Sequence, residues 1–279
     1  MGAGAKHRLL FGDRLLATLV HLRHGATHDV LACWFGVDRS TITRANGCGP
    51  CAERGCTVSP DVRLRTLAEV VDHLGASGEI GIVDGTEIRA RRPAAGRKDR
   101  DRFISGKNKQ NAVKAMVVTD GEGRMLWCSP TRPASCADIT LDRKLRLVKF
   151  LADGPVVEIL ADAGYQGLGA QTGGRVVTPP HRKFKNNAPD WYEELYELQR
   201  KAHSSRRIRV EHGIAHLKNW RSLARHLGRR EHMSDIVQAI AGLLSHQQTA
   251  DLPPAQQMGT PSPAGVLDVS PPTVHELVR

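Results

Sequence analysis

Residues 79–85 read Glu-Ile-Gly-Ile-Val-Asp-Gly, and this stretch decides the fold because the sequence changes there from helical to strand periodicity. Strands are predicted at 80–83, 112–119, 124–129, 156–161 and 175–178. Residues 137–151 predict an amphipathic helix between the third and fourth of these strands. Strands that alternate with helices in this way indicate an α/β layer.

The chain before residue 79 has a helical pattern. Residues 13–24 place apolar side chains at helical spacing, with Leu15 and Leu16 among them, and a third helix is predicted to start near Ser40. Residues 28–44 have the spacing of a helix-turn-helix: Ala32 where two helices cross, Gly36 in the turn and Ile42 returning to the core. The side chains expected to face outward and contact DNA are Arg39, Ser40, Thr41, Thr43 and Arg44. A plain three-helix bundle would use the same apolar positions.

The remaining segments complete a three-part organisation. Glycine, cysteine and proline predict a loop over 45–56, and a helix is predicted at 62–74. Further helices are predicted from about Asp190, over 204–227 and over 234–248, with Ser234 as a cap. We therefore expect a helix-turn-helix domain at 1–76, a catalytic domain at 77–250 and a disordered, proline-rich tail at 251–279.

Charge and composition indicate the class of partner. The chain carries 40 Lys and Arg against 29 Asp and Glu, a formal net charge of +11, which favours a polyanion such as nucleic acid. Neither a secretory signal nor a membrane span is evident, so a cytoplasmic, nucleoid-associated protein with reduced thiols is expected. Cys48, Cys51 and Cys56 have no second ligand pair downstream, so ordinary thiols are favoured over a zinc site.

Two aspartates end the predicted strands in a similar way. Asp84 follows a β-branched run and precedes Gly85, and Asp162 follows another and precedes Ala163-Gly164. If the two strands are adjacent, both carboxylates face one crevice and supply the hard oxygen ligands that Mg²⁺ or Mn²⁺ prefers. Each aspartate alone would more often be a turn or cap residue.

A third acid lies on a basic helix. Residues 200–230 contain ten Lys or Arg and a single acid, Glu211, with Arg207 four residues before it and Lys218 seven residues after it. A carboxylate that holds a metal among bases that hold phosphates explains this pattern, whereas Glu211 alone would be an ion-pair partner of Arg207. Glu87 and Asp138 are left out of the site, the first because of its strand position and the second as a helix N-terminal acid.

These motifs resemble the DDE superfamily of insertion-sequence and Harbinger-like transposases over roughly residues 10–250. The resemblance is carried by Val83-Asp84-Gly85-Thr86, by Ala161-Asp162-Ala163-Gly164-Tyr165-Gln166-Gly167 and by the spacing of Arg207, Glu211 and Lys218. Ser204 stands where the family often has tyrosine, so no role of that tyrosine is transferred.

The resemblance implies a ribonuclease-H-like fold in which Asp84, Asp162 and Glu211 meet in one cleft, bind two Mg²⁺ or Mn²⁺ ions and catalyse DNA cleavage at element ends and strand transfer to target DNA. It also implies that Arg207, Lys218 and the basic stretch 89–109 contact double-stranded DNA, and a homodimer is expected. Two alternatives remain open at this point: a catalytically silent DNA-binding relative, and a metal-dependent hydrolase of a small phosphorylated substrate.

Overall fold

Three N-terminal helices form a small unit with its own core. The structure is a computed structural model that describes residues 9–47, 49–96, 98, 100–184, 188–224 and 230–252. The helices are α1 (Phe11–His24), α2 (His28–Phe35) and α3 (Arg39–Ala45). They pack around Ala17, Leu31, Ala32 and Ile42.

The connection between α2 and α3 has the features predicted for a helix-turn-helix. Gly36 ends α2 with a φ of 62°, a backbone conformation that glycine adopts without the steric cost of a Cβ atom. Ala32 and Ile42 are buried as predicted. Leu15 and Leu16, which belong to the apolar pattern of the first helix, are instead exposed on α1.

The segment between this unit and the sheet corrects two predictions. Residues 45–56 are not all loop, because a short helix α4 (Gly49–Ala52) lies within them and strand β1 (Cys56–Ser59) starts at their end. Strand β2 (Val62–Leu64) pairs antiparallel with β1, so the helix predicted from residue 62 begins later, as α5 (Leu67–Ser77). Thr66 and Glu69 form a capping box that fixes this later start.

A six-stranded sheet forms the centre of the second region. Its strands are β3 (Gly81–Arg89), β4 (Ala112–Thr119), β5 (Met125–Cys128), β6 (Arg132–Pro133), β7 (Ile159–Leu160) and β8 (Val176–Val177). The order is β5-β4-β3-β7-β8, with β6 also paired to β4. Strands β3, β4 and β5 are antiparallel neighbours, whereas β7 and β8 run parallel to β3. A mixed sheet of this order after a helical unit is the ribonuclease-H-like arrangement that was expected.

Helices cover both faces of the sheet. They are α6 (Asp138–Leu145), α7 (Leu147–Asp153), α8 (Leu168–Gln171), α9 (Asp190–Lys218), α10 (Arg221–Ala224) and α11 (Met233–Ala250). Val113, Ala115 and Val117 of β4 face the core that contains α9, α10 and α11. Met116 and Val118 face the opposite core, which contains α5, α6 and α7. This alternation is the period of two that defines a strand.

Several helix boundaries differ from the predictions. The helix predicted over 137–151 is divided at Arg146, whose φ of 60° ends α6. The helix predicted from Asp190 and the one predicted over 204–227 are joined in one helix, α9, of 29 residues. It ends at Lys218, before the predicted end at residue 227, and residues 221–224 form the separate helix α10. Ser234 does not cap α11, because His232 occupies the cap position and the Ser234 hydroxyl accepts a hydrogen bond from Thr131 N. The tail expected at 251–279 lies outside the described residues except for Asp251 and Leu252.

Two glycines seat α9 on the sheet. A Cβ atom at Gly213 would lie 2.8 Å from the carbonyl oxygen of Gly123, in the turn between β4 and β5. Only glycine therefore allows this close approach of helix and hairpin. No helix in the described part of the chain is both long enough and apolar enough to cross a membrane.

Candidate active site

Asp84 and Asp162 lie on neighbouring parallel strands. Ile82 of β3 pairs with Leu160 of β7, and the two aspartates follow two residues later on each chain segment. Asp84 was expected at the end of its strand, but β3 continues beside β4 as far as Arg89. It is β7 that stops at Leu160, so the edge of β3 opens on that side next to Asp84.

Local backbone contacts orient both carboxylates. Asp162 caps a short 3₁₀ turn, and its Oδ1 accepts a hydrogen bond of 2.8 Å from Gly164 N. Oδ1 of Asp84 accepts a hydrogen bond of 2.8 Å from Gly85 N. Each aspartate thus uses Oδ1 as a turn or cap residue does, to accept a local backbone hydrogen bond. Its Oδ2 is not used in that bond.

Arg207 on α9 binds the Asp84 carboxylate. Its Nη2 donates to Asp84 Oδ2 at 3.0 Å, and the two side chains are only 15% and 16% exposed. Burial raises the pKa of Asp84 to about 6, and the Arg207 guanidinium opposes this increase. The negative charges of Asp162 and Glu211 raise the same pKa further, so all three acids share one electrostatic environment.

Glu211 lies one helical turn beyond Arg207 on α9 and is exposed. It forms no hydrogen bond or ion pair with any described residue, so the interpretation of Glu211 as the partner of Arg207 is wrong: that partner is Asp84. Lys218 lies two turns further along α9. Desolvation lowers the pKa of Lys218, and the charges of Glu87 and Asp84 oppose this change, which places its amine near the same acids.

The donor set suits a hard divalent cation. Asp84, Asp162 and Glu211 supply only carboxylate oxygens, which are the ligands that Mg²⁺ and Mn²⁺ favour. The Arg207 guanidinium shows that positive charge is favoured beside Asp84. Within the described residues, no three His, Cys, Asp or Glu side chains converge closely enough to hold one ion. Asp162 and Glu211 are therefore close enough to Asp84 to raise its pKa, but in the described part of the chain the three carboxylates do not converge on a single point.

Asp138, interpreted from the sequence only as a helix N-terminal acid, lies beside the glycines that follow Asp84 and Asp162. A methyl group at position 85 would overlap the Asp138 carboxylate, and one at Gly164 would lie 3.4 Å from its Oδ2. Because Asp84 and Gly85 face opposite sides of β3, Asp138 supports the strand from the side opposite the Asp84 carboxylate. The sequence carries one sign of this contact, because glycine follows each aspartate closely, at Gly85 and at Gly164. Both glycines make room for the Asp138 carboxylate.

A partly buried ion pair holds Asp138 in place. Lys114 Nζ of β4 lies 3.1 Å from Asp138 Oδ1 and 3.8 Å from Glu87 Oε1. Glu87 in turn accepts hydrogen bonds from Ser105 Oγ at 2.7 Å and Asn108 Nδ2 at 3.0 Å. These contacts tie residues 105–108, in the second half of the basic stretch, to β3.

Tyr165 of the second motif is a core residue. It is fully buried, and its hydroxyl has no hydrogen-bond partner among the described residues. Burial raises the pKa of Tyr165 well above its ordinary value, and the charges of Asp138, Asp84, Asp162 and Asp142 add to this effect. Its ring therefore fills the space beneath the acids rather than serving as a ligand.

The predicted DNA-contacting residues of α3 have the expected exposure. Arg39, Ser40, Thr43 and Arg44 are exposed, and Thr41 is half-buried. Arg39 Nε lies 3.5 Å from Asp29 Oδ1, and Thr43 Oγ1 contacts His28 Nδ1 at 3.0 Å. In the basic stretch 89–109, residues 100–103 form a 3₁₀ turn, while Arg97 and Asp99 lie outside the described residues. Cys48, considered as a zinc ligand, also lies outside them, and Cys56 is a buried free thiol.

Comparisons with known proteins agree with this arrangement. Residues 83–245 match the family model described as DDE superfamily endonuclease, and residues 7–45 match the helix-turn-helix of DDE superfamily endonuclease. A protein of Streptomyces albus G, provisionally named as the transposase for insertion sequence element IS112, is 27% identical over 224 residues. That similarity covers 76% of this chain and 70% of the relative. The first match includes both aspartates and Glu211.

Proposed function

The chain belongs to the DDE superfamily of endonucleases, and from this premise we propose that it cleaves DNA at the ends of an insertion element and joins the freed ends to target DNA. The observation that carries the proposal is the parallel pairing of β3 with β7, which brings Asp84 and Asp162 to one open edge beside Arg207 and Glu211 of α9. Family members generally depend on divalent metal ions.

Asp84, Asp162 and Glu211 are the residues that would hold the metal ions, Mg²⁺ or Mn²⁺. When bound, such ions lower the pKa of a water molecule and offset the negative charge on the leaving 3′ oxygen. Asp84 must be ionised to bind a metal ion. Burial raises its pKa to about 6, and the Arg207 guanidinium on its Oδ2 favours the ionised form. No covalent intermediate with the protein is required.

The basic residues on α9 have separate tasks in this proposal. Arg207, which binds Asp84 Oδ2 in the absence of a metal ion, would donate hydrogen bonds to the incoming phosphodiester when the carboxylate binds a metal ion instead. Lys218 adds a second positive charge at the same edge. Ser40 and Arg44 on α3, together with Arg39, Thr41 and Thr43, would bind the element end and set the distance between recognition and cleavage.

The two alternatives from the sequence are less well supported. A hydrolase of small phosphorylated substrates has no use for a helix-turn-helix, and that domain is present at residues 7–45. A silent DNA-binding relative would not need three acids in one electrostatic environment, since Asp84 is costly to keep buried. Neither alternative has an observation of its own in its favour.

The proposal is tested with the protein, Mg²⁺ or Mn²⁺ and duplex DNA carrying the flanking ends of its own element. Asp84→Asn, Asp162→Asn and Glu211→Gln should each lower cleavage at least a hundredfold while DNA affinity stays within about twofold, because the acids serve the metal ions and not the phosphates. Asp153→Asn, an exposed change on α7, is the matched control and should cleave normally. Cleavage retained by any of the three variants removes that residue from the site.

A further inference from the structure

The N-terminal half of α9 extends beyond the core. No residue from Asp190 to Ala202 is buried within the described part of the chain, whereas His203, Val210 and Leu217 in the second half are. One side of the first half is covered by residues 181–184. Lys183 N donates to the Tyr192 hydroxyl at 2.7 Å, and the ring of Phe184 packs on Tyr192 at 4.8 Å. These contacts hold the extension in place, and no described residue covers another side of it.

That other side is apolar. Trp191, Leu195 and Leu198 are 65%, 44% and 66% exposed, and Ala202 continues the same row. Intervals of four, three and four residues place this row on one helix face, which is the spacing at which two helices interlock side chains along a seam. Beyond Ala202 the row becomes polar with Ser205 and Arg209. The apolar seam is therefore confined to the projecting half of the helix.

Charge along α9 is divided into two halves. Residues 190–197 contain four acids and no base, and residues 198–209 contain five bases and no acid. Glu194 and Lys201 flank the seam and are both exposed. Two copies of such a helix are complementary in charge when they run antiparallel, because the acidic half of each then lies beside the basic half of the other.

We propose that two copies of this chain associate through the seam, with their α9 helices antiparallel. In this register Leu195 of one copy packs on Leu198 of the other, Trp191 packs on Ala202, and Glu194 lies beside Lys201 of the second copy. Parallel helices would instead place acids beside acids and bases beside bases. The division of charge thus selects a second copy in one orientation.

The length of the seam sets the strength of the association. Thirteen residues span about 20 Å of helix, which is shorter than a stable coiled coil requires, so the pairing should be weak and dependent on concentration in free protein. Two copies bound to the two ends of one DNA molecule have a high effective concentration, and there the pairing strengthens.

Sedimentation velocity of the full chain over a range of concentrations tests this proposal without reference to cleavage. The wild-type protein should show a monomer–dimer equilibrium that Leu198→Glu abolishes. Val156→Glu is the matched control, because Val156 is 82% exposed elsewhere and should leave the equilibrium unchanged. Glu194→Lys and Lys201→Glu should each weaken the dimer about tenfold, since each converts two attractive pairs into two repulsive ones. The double variant should restore it.

The proposal is overturned if the wild-type protein remains monomeric at every concentration, or if Leu198→Glu sediments as the wild-type protein does. It is also overturned if the loss of dimer affinity in the double charge variant equals the sum of the losses in the two single variants. Additive losses would mean that Glu194 and Lys201 do not contact each other. Loss of DNA binding by Leu198→Glu with an unchanged sedimentation profile would assign the seam to DNA instead.

Discussion

Replacing Asp142 with asparagine should stabilise the protein at neutral and alkaline pH. Asp142 lies on α6, is fully buried and has no hydrogen-bond partner for either oxygen among the described residues. Burial raises its pKa from 3.8 to about 6, and neighbouring Arg143 opposes this only in part. Ionised Asp142 is therefore a charge that the folded chain holds at a cost.

The magnitude follows from the difference in pKa between the folded and unfolded chains. An increase of about two units corresponds to about 3 kcal/mol. Because the folded-state pKa is the higher one, the stability that the protonated group contributes is fully present below about pH 4 and is lost as the pH rises through 6. Asp142→Asn should therefore raise the free energy of unfolding by about 3 kcal/mol at pH 8 and by about half of that at pH 5.

Urea unfolding of the wild-type and Asp142→Asn proteins at pH 8 and pH 5 measures both values. Asp72→Asn, an exposed change on α5, is the control and should alter neither. The reasoning fails if the variant is no more stable than the wild-type protein at pH 8, or if its advantage does not shrink at pH 5. Either result would mean that Asp142 has a compensating partner in solution.

Four further substitutions test the packing and the DNA-binding surface. Gly213→Leu should push α9 away from the β4–β5 turn and so lower the cleavage rate at least tenfold. It should also lower the free energy of unfolding, measured with urea, by about 1–3 kcal/mol. Gly85→Ala should destabilise the fold similarly because the methyl group overlaps the Asp138 carboxylate, and an unchanged unfolding midpoint would contradict that contact. Arg39→Ala and Arg44→Ala should weaken binding of element ends in gel-shift titrations, while a pre-nicked substrate is still cleaved. Unchanged binding would exclude α3 as the recognition helix.

The acids of the cleft could be selected from the sequence because each is marked by its local context. Asp84 and Asp162 follow apolar runs and precede glycine, and Glu211 is the single acid of a basic segment. Their roles as metal ligands remain predictions. Asp138 could not be selected in the same way, because its neighbours Lys114 and Gly85 are distant in sequence and meet it only through the pairing of β3 with β4 and the docking of α6.

Boundaries were predicted well where local contacts set them and poorly where distant contacts did. Strand 112–119 is buried on both faces and is marked by its own apolar run, so its limits were correct. Residues 62–64 have a helical pattern, but pairing with β1 draws them into a hairpin. Asp84 was expected at a strand end, although hydrogen bonds to β4 carry β3 five residues further.

The sequence by itself determined the order of a helix-turn-helix and an α/β layer, and it singled out the acids and bases of the candidate site, because periodicity, capping and motif spacing are local properties. Tertiary structure alone decided that Arg207 pairs with Asp84 rather than with Glu211, that α9 is continuous, and that no described residue covers the side of its first half that carries Trp191 and Leu198. These features depend on which elements meet in space, and residues separated by 123 positions, as Asp84 and Arg207 are, have no local pattern that links them.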